Sequence, residues 1–315
     1  MTTLEPQDES LNAEFVGVPP PNGAHFPKAN ELIDLCGNEK HRGYFALPSE
    51  APVFWVKYGF GVYWNEVVAQ DMAYHELRRL GSPVRAPAVF YAVKKGPRVF
   101  IVMEYIPGAT VRKCFEQATS QSQKEHIIDQ VALSLSELHR ITIAPGTRPA
   151  AVNGGYIRHT CFDDEIAPRH YENVDQLEIH LNGFLKGTKQ KSRIKNLSLE
   201  PLVFCQSGVY PDNFMINDAG DITVIDFAEV SILPSSFATF QIYDNRLGFN
   251  IRGKVWVPTT EGVNNTQALL AVCGRMPICG GLLENIAAKL PGGDEETQNR
   301  IENSLAISNR RFCPQ

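Results

Sequence analysis

The sequence predicts an α+β protein of two lobes, a small N-terminal lobe built on antiparallel strands and a larger, mainly helical C-terminal lobe. Its 315 residues exceed what one compact core usually carries. Short apolar runs bounded by turn residues dominate up to about residue 108, and helical periodicity takes over after residue 110. Strand-like runs return between 201 and 232. The expected organisation is a polar tail or strap over 1–30, a strand-rich lobe over 31–108 and a helical lobe over 109–315.

The first 30 residues are polar and rich in proline, which is why they read as a tail. YFAL and PVFWVKY, separated by Pro48-Ser49-Glu50-Ala51, read as a hairpin that ends near Lys57. A helix from about Trp64 to Leu80 follows, with Val68, Met72 and Leu80 on one face, Glu66 in the first turn, and Gly81 and Pro83 as a stop. AVFYAV and VFIVMEYI, joined across Lys94-Lys95-Gly96-Pro97, read as a second hairpin, closed by Pro107-Gly108. Ser122-Gln123-Lys124-Glu125 has the form of a capping box that opens a helix with Ile127, Val131, Leu135 and Leu138 on one side. VFCQS, NFMIN and DITVIDF are strand-like, with the turn Asn217-Asp218-Ala219-Gly220 between the last two. From about 263 onward short helices are expected, broken at Gly280-Gly281 and Pro291-Gly292-Gly293.

Composition narrows the function. A hydrophobic fraction of 43% with 21% charged residues is that of a folded globular chain. A net charge of -5 without a basic stripe argues against nucleic acid as a partner. The cysteines Cys36, Cys114, Cys161, Cys205, Cys273, Cys279 and Cys313 are odd in number, scattered and free of any CxxC pair, which suits reduced thiols rather than a disulfide framework or a zinc site. No stretch approaches the ~20 apolar residues of a membrane span, and the N-terminus has no basic segment followed by an apolar run. A cytoplasmic protein with no membrane partner is the expectation.

Strands, one helix, more strands, a connector and then helices interrupted by a hairpin ending in aspartate is the element order of a kinase-like fold. VKYG at 56–59, NEVVAQ at 65–70, IVMEYIPG at 101–108, LHRI at 138–141, VFCQSGVYPDNFMI at 203–216 and VIDF at 224–227 resemble the aminoglycoside/choline phosphotransferase family, especially its fungal members. The resemblance spans roughly residues 45–240. It implies ATP and Mg2+ as ligands, with a cation for the phosphates, an anchor for that cation and oxygen ligands for the metal. Carried onto this sequence, Lys57 would contact the phosphates and Glu66 would hold its ammonium. Asn213 and Asp226 would be the metal ligands, and the backbone of Glu104 and Tyr105 would meet the adenine. For each residue the plain alternative is structural: an edge lysine, a cap at Asn213, a turn carboxylate at Asp226. His139 reads as a structural histidine at a helix end.

The family's catalytic loop reads histidine, any residue, aspartate, four residues, asparagine. Here the loop is Gln206-Ser207-Gly208-Val209-Tyr210-Pro211-Asp212-Asn213, so Gly208 falls at the base position and Gln206 at that of the histidine. Asp212 is the possible substitute base. No GxGxxG precedes Lys57, Phe227-Ala228-Glu229 stands where the family usually has a glycine or acid pair after the metal aspartate, and the Gly37–Gly43 loop offers Lys40 or Arg42 to phosphates only as a weak signal. Asp163, Asp164 and Glu165 form an acidic cluster suited either to a cationic amine or to a solvated loop.

Three readings follow. In the first, the chain is a kinase-like pseudokinase that keeps an ATP/Mg site with weak or absent transfer. In the second, it is an active ATP-dependent phosphotransferase on a small hydroxyl compound. In the third, it is an interaction scaffold without nucleotide, with a small molecule or protein as partner.

Overall fold

The computed structural model describes residues 12–37, 42–162 and 165–273. The described residues form two compact units. One takes in 12–142, 208–230 and 244–256, and the other 143–207, 231–243 and 257–273. The chain leaves the first unit after residue 142 and returns to it at 208 and again at 244.

The first unit is built on a five-stranded antiparallel sheet of β1 (Asn12–Val16), β2 (Gly43–Leu47), β3 (Phe54–Gly59), β4 (Val89–Lys95) and β5 (Arg98–Glu104), in the order β1-β4-β5-β3-β2. β1 lies within the stretch expected to be a tail. Its NAEFV alternates exposed and half-buried residues, as an edge strand with one wet face does. The β4–β5 hairpin turns at Gly96, whose φ of 58° suits glycine.

Helix α1 (Ala29–Cys36) covers one sheet face, where Phe26, Leu32, Phe54, Val56, Phe90, Tyr91, Phe100 and Val102 form a core. Helix α2 (Trp64–Arg79) belongs to the opposite face, with Val62, Val67, Val89, Ala92, Val99, Ile101 and Met103. The buried side of α2 runs through Val67, Gln70, Ala73 and Leu77, one position away from the expected Val68 and Met72, because it begins at the buried pair Asn65 and Glu66.

In the same unit β6 (Ala109–Thr110) leads into α3 (Val111–Gln117) and α4 (Gln121–His139). The capping box of α4 lies one half-turn earlier than expected. The Ser120 hydroxyl accepts from the Gln123 N–H at 3.2 Å, and Gln123 Oε1 accepts from the Ser120 N–H at 3.1 Å. Ser120 wins over Ser122 because its extended backbone (φ -120°, ψ 154°) leaves the hydroxyl facing the open first turn. Ile127, Val131, Leu135 and Leu138 are buried as expected. β9 (Phe214–Ile216) and β10 (Ile222–Val224) form a hairpin that β6 extends in the order β10-β9-β6.

The second unit has β7 (Ala150–Ala151), α5 (Val174–Gly187), β8 (Leu202–Gln206), β11 (Val230–Pro234), α6 (Ser235–Tyr243) and α7 (Thr266–Cys273). Its strands run in the order β7-β11-β8, and its core gathers Phe162, Tyr171, Leu181, Phe184, Phe237 and Leu269. Among the described residues no helix is long and apolar enough to cross a membrane, and Cys36, Cys114, Cys161 and Cys205 are free thiols. Cys279, Cys313, Lys40, Asp163, Asp164 and the expected helices beyond 273 lie outside the described residues.

Candidate active site

Lys57 is the fourth residue of β3, opposite Ile101 on β5, which turns its side chain to the α2 side of the sheet. Nine residues later Glu66 occupies the first turn of α2 and faces it. The Lys57 Nζ donates to Glu66 Oε1 at 2.5 Å and to Asp226 Oδ1 at 3.0 Å. Glu66 is 1% exposed, and burial pushes its carboxyl above the usual carboxylate range against the pull of Lys57.

Asp226 follows β10 in the left-handed region, with a φ of 59°. An aspartate tolerates that conformation better than a branched residue does. Its Oδ2 accepts from Arg42 Nη2 at 3.0 Å, just ahead of β2. Burial raises its carboxyl, and the charges and hydrogen bonds of Lys57 and Arg42 outweigh that and hold it below the ordinary value. The carboxylate is therefore ionised between two cations.

Two tethers place Asp226. The Ile225 N–H donates to the Asn213 carbonyl at 2.9 Å, which joins the loop to the residue before Asp226. Asn65, 3% exposed, donates from Nδ2 to the carbonyls of Ala228 at 3.2 Å and Val230 at 2.9 Å, which ties the segment after Asp226 to the first turn of α2. Asn65 was not among the residues expected to matter. Its partners lie more than 160 positions away in the chain, and no local pattern announces them.

Asn213 closes a 3-10 turn and donates from Nδ2 to the Gly208 carbonyl at 2.9 Å. Position 208 carries no side chain, and a Cβ built there would lie 3.2 Å from Glu229 Oε2 and 3.4 Å from Asn213 Nδ2. Glu229 thus brings a carboxylate oxygen beside the position left bare. The sequence marked Glu229 only as a departure from the usual residues after the metal aspartate.

Asp212, the possible substitute base, accepts from Arg112 Nε at 2.7 Å, and both side chains are half-exposed. Glu104 accepts from Arg85 at 2.7 Å and from the Ala88 N–H at 3.2 Å. The backbone N–H groups of Glu104 and Tyr105 donate to the carbonyls of Ala88 at 2.8 Å and Val53 at 3.1 Å, so an adenine finds neither donor open. His139 is buried, with Nδ1 2.9 Å from the Trp256 carbonyl.

Asp226 and Asn213 offer oxygen of the kind magnesium takes. Magnesium sits 2.0–2.1 Å from its ligands, and at Asp226 Oδ2 it would press against the Arg42 guanidinium. As arranged, the donor set does not fit the metal. No group of three or more His, Cys, Asp or Glu suited to a metal occurs among the described residues.

A family model described as phosphotransferase enzyme family matches residues 65–234, more than half of the 315 residues. No curated protein matches the chain. Among solved structures, a spectinomycin phosphotransferase in complex with ADP and spectinomycin is 14% identical, with 88% of each chain covered and a TM-score of 0.43. A thermostable mutant of an aminoglycoside phosphotransferase in apo form is 11% identical, covering 86% of this chain and 92% of that one, at a TM-score of 0.46. An aminoglycoside-3′-phosphotransferase of type VIII is 16% identical, covering 84% and 93%, at 0.38. The matched segment holds Glu66, Asn213, Asp226 and the loop between β8 and β9, and on that match the chain belongs to the phosphotransferase enzyme family.

Proposed function

We propose that the chain binds ATP through Lys57 and is a kinase-like phosphotransferase relative whose phosphoryl transfer is weakened by the loss of the carboxylate at position 208. One observation carries the reading: a buried ammonium is shared between Glu66 Oε1 at 2.5 Å and Asp226 Oδ1 at 3.0 Å. Desolvating Lys57 and Glu66 costs several kcal/mol per ion, and a phosphate-binding role gives that arrangement a use. Lys57 and the anchor Glu66 would orient the α- and β-phosphates, a step in which positioning and electrostatics do most of the work. General-base help is worth about 10²–10⁴-fold, and a glycine offers none.

Glu229 favours the second reading, an active phosphotransferase on a small hydroxyl compound. With its carboxylate oxygen 3.2 Å from the place of a Cβ at Gly208, Glu229 is a better placed base than Asp212, which is paired outward with Arg112. In that reading Glu229 takes the acceptor's hydroxyl proton, the acceptor oxygen bonds to the γ-phosphorus, and ADP leaves with the electrons of the broken bond. Isothermal titration with ATP tests the main reading. Wild type should bind, while Lys57→Ala and Asp226→Asn, which keeps a residue suited to left-handed backbone, should each lose about tenfold or more. Absence of ATP binding by the wild type would leave the scaffold reading instead.

A further inference from the structure

Resting on the nucleotide reading, we propose that Arg42 bridges Asp226 to the phosphates of ATP in the place a divalent cation would hold, so that the site takes the nucleotide free of metal. Arg42 donates one N–H to Asp226 Oδ2 at 3.0 Å, its side chain is 47% exposed, and its other N–H groups have no further hydrogen bond among the described residues. A guanidinium carries five donors in a rigid planar fork, so one edge can hold a carboxylate while the other meets a phosphate. A lysine is a point charge and lacks that second edge.

The register puts this fork where phosphates would be. Tyr44 pairs with Lys57 across β2 and β3, and Arg42 lies two residues before Tyr44 on the same strand line. Both cations converge on one carboxylate, Lys57 on Oδ1 and Arg42 on Oδ2. An anion bound at Lys57 would meet the other edge of Arg42 as a second cation held on the same carboxylate. Lys57 and Arg42 each hold one oxygen of Asp226, so its charge is already met by two cations. An Asp226 carboxylate without an intervening cation would repel the phosphates, and Arg42 removes that repulsion.

The test is ATP binding by isothermal titration in magnesium and in EDTA, for wild type, Arg42→Gln and Arg42→Lys. The expected result is a wild-type affinity that changes by less than about threefold on chelation, with a loss of about tenfold or more in EDTA for both variants. Arg42→Gln should regain part of its affinity in magnesium, since the guanidinium no longer covers Asp226 Oδ2. Wild type that binds ATP only with magnesium overturns the inference and leaves the nucleotide reading standing; wild type that binds in neither condition overturns both. Manganese(II) added without nucleotide and followed by the paramagnetic signal of the free ion gives a second readout. Wild type should take up none, and uptake would overturn the proposal.

Discussion

A Cβ placed on Gly208 would stand 3.2 Å from Oε2 of Glu229, closer than an ordinary van der Waals contact. The glycine and the glutamate are thus complementary: one has given up a side chain where the other brings a carboxylate. Restoring aspartate at position 208 alone sets two carboxylates against each other. Gly208→Asp should lower stability by about 1–3 kcal/mol through crowding and like charge, with no gain in ATP turnover. Gly208→Asp combined with Glu229→Gln should recover at least half of that loss. Thermal melts of wild type and the two variants decide it, and a Gly208→Asp variant as stable as wild type would show that the two positions do not compete.

The Lys57–Glu66 pair should behave as a buried ion pair in a double-mutant cycle. Lys57→Met leaves Glu66 uncompensated in the core, and breaking one side of such a pair costs about 3–5 kcal/mol. Lys57→Met with Glu66→Leu removes both charges and should cost far less, while ATP affinity is lost in both. Urea melts measure the first effect and isothermal titration the second. Additive costs in the double variant would mean that the two side chains are not coupled.

The parts of this site that were legible in the sequence are those set by local order. Lys57 lies near the end of a strand, a short turn follows, and Glu66 opens a helix, so nine residues of chain suffice to bring the two together. Asp226 closes an apolar run, and Gly208 is found by counting back from Asn213. Arg42 and Asp226 are 184 positions apart, and a loop arginine next to a glycine has many possible uses, so it gave only a weak signal. Glu229 was legible as a departure and not as a substitute, because its meaning depends on a missing Cβ elsewhere in the fold. β1 was hidden for a different reason. An edge strand with a wet face needs few apolar residues, and NAEFV borders a proline-rich stretch that reads as irregular.

Asn65 should act on ATP binding through position rather than contact. Asn65→Leu keeps the volume but removes the donors for the carbonyls of Ala228 and Val230, at about 1–3 kcal/mol for each carbonyl left buried and unpaired. The segment after Asp226 then loosens, and ATP affinity should fall with stability. Val131→Ala, a cavity in the α4 core, serves as the control. It should destabilise by a similar amount while leaving affinity intact below its melting temperature. Equal loss of affinity in both variants would reduce Asn65 to a general stabilising residue.

His139 should make the protein acid-sensitive well above the carboxylate range. Its Nδ1 carries the proton, because the Trp256 carbonyl 2.9 Å away can only accept. Burial lowers its pKa from 6.5 to about 4. In the unfolded chain the imidazole takes up a proton near 6.5, and in the folded chain it does so only near 4. Stability is therefore whole above about pH 6.5 and declines as the pH falls toward 4. The loss from this residue should reach about 2 kcal/mol by pH 5 and about 3 kcal/mol once both states are protonated. His180 is lowered to about 4 by its own burial and contributes in the same direction. The variant His139→Gln isolates the first share: it should be less stable than wild type at pH 7.5, yet lose about 2 kcal/mol less on acidification to pH 5. Urea melts at the two pH values measure the difference, and parallel losses in the two proteins would show that His139 is already charged in the fold.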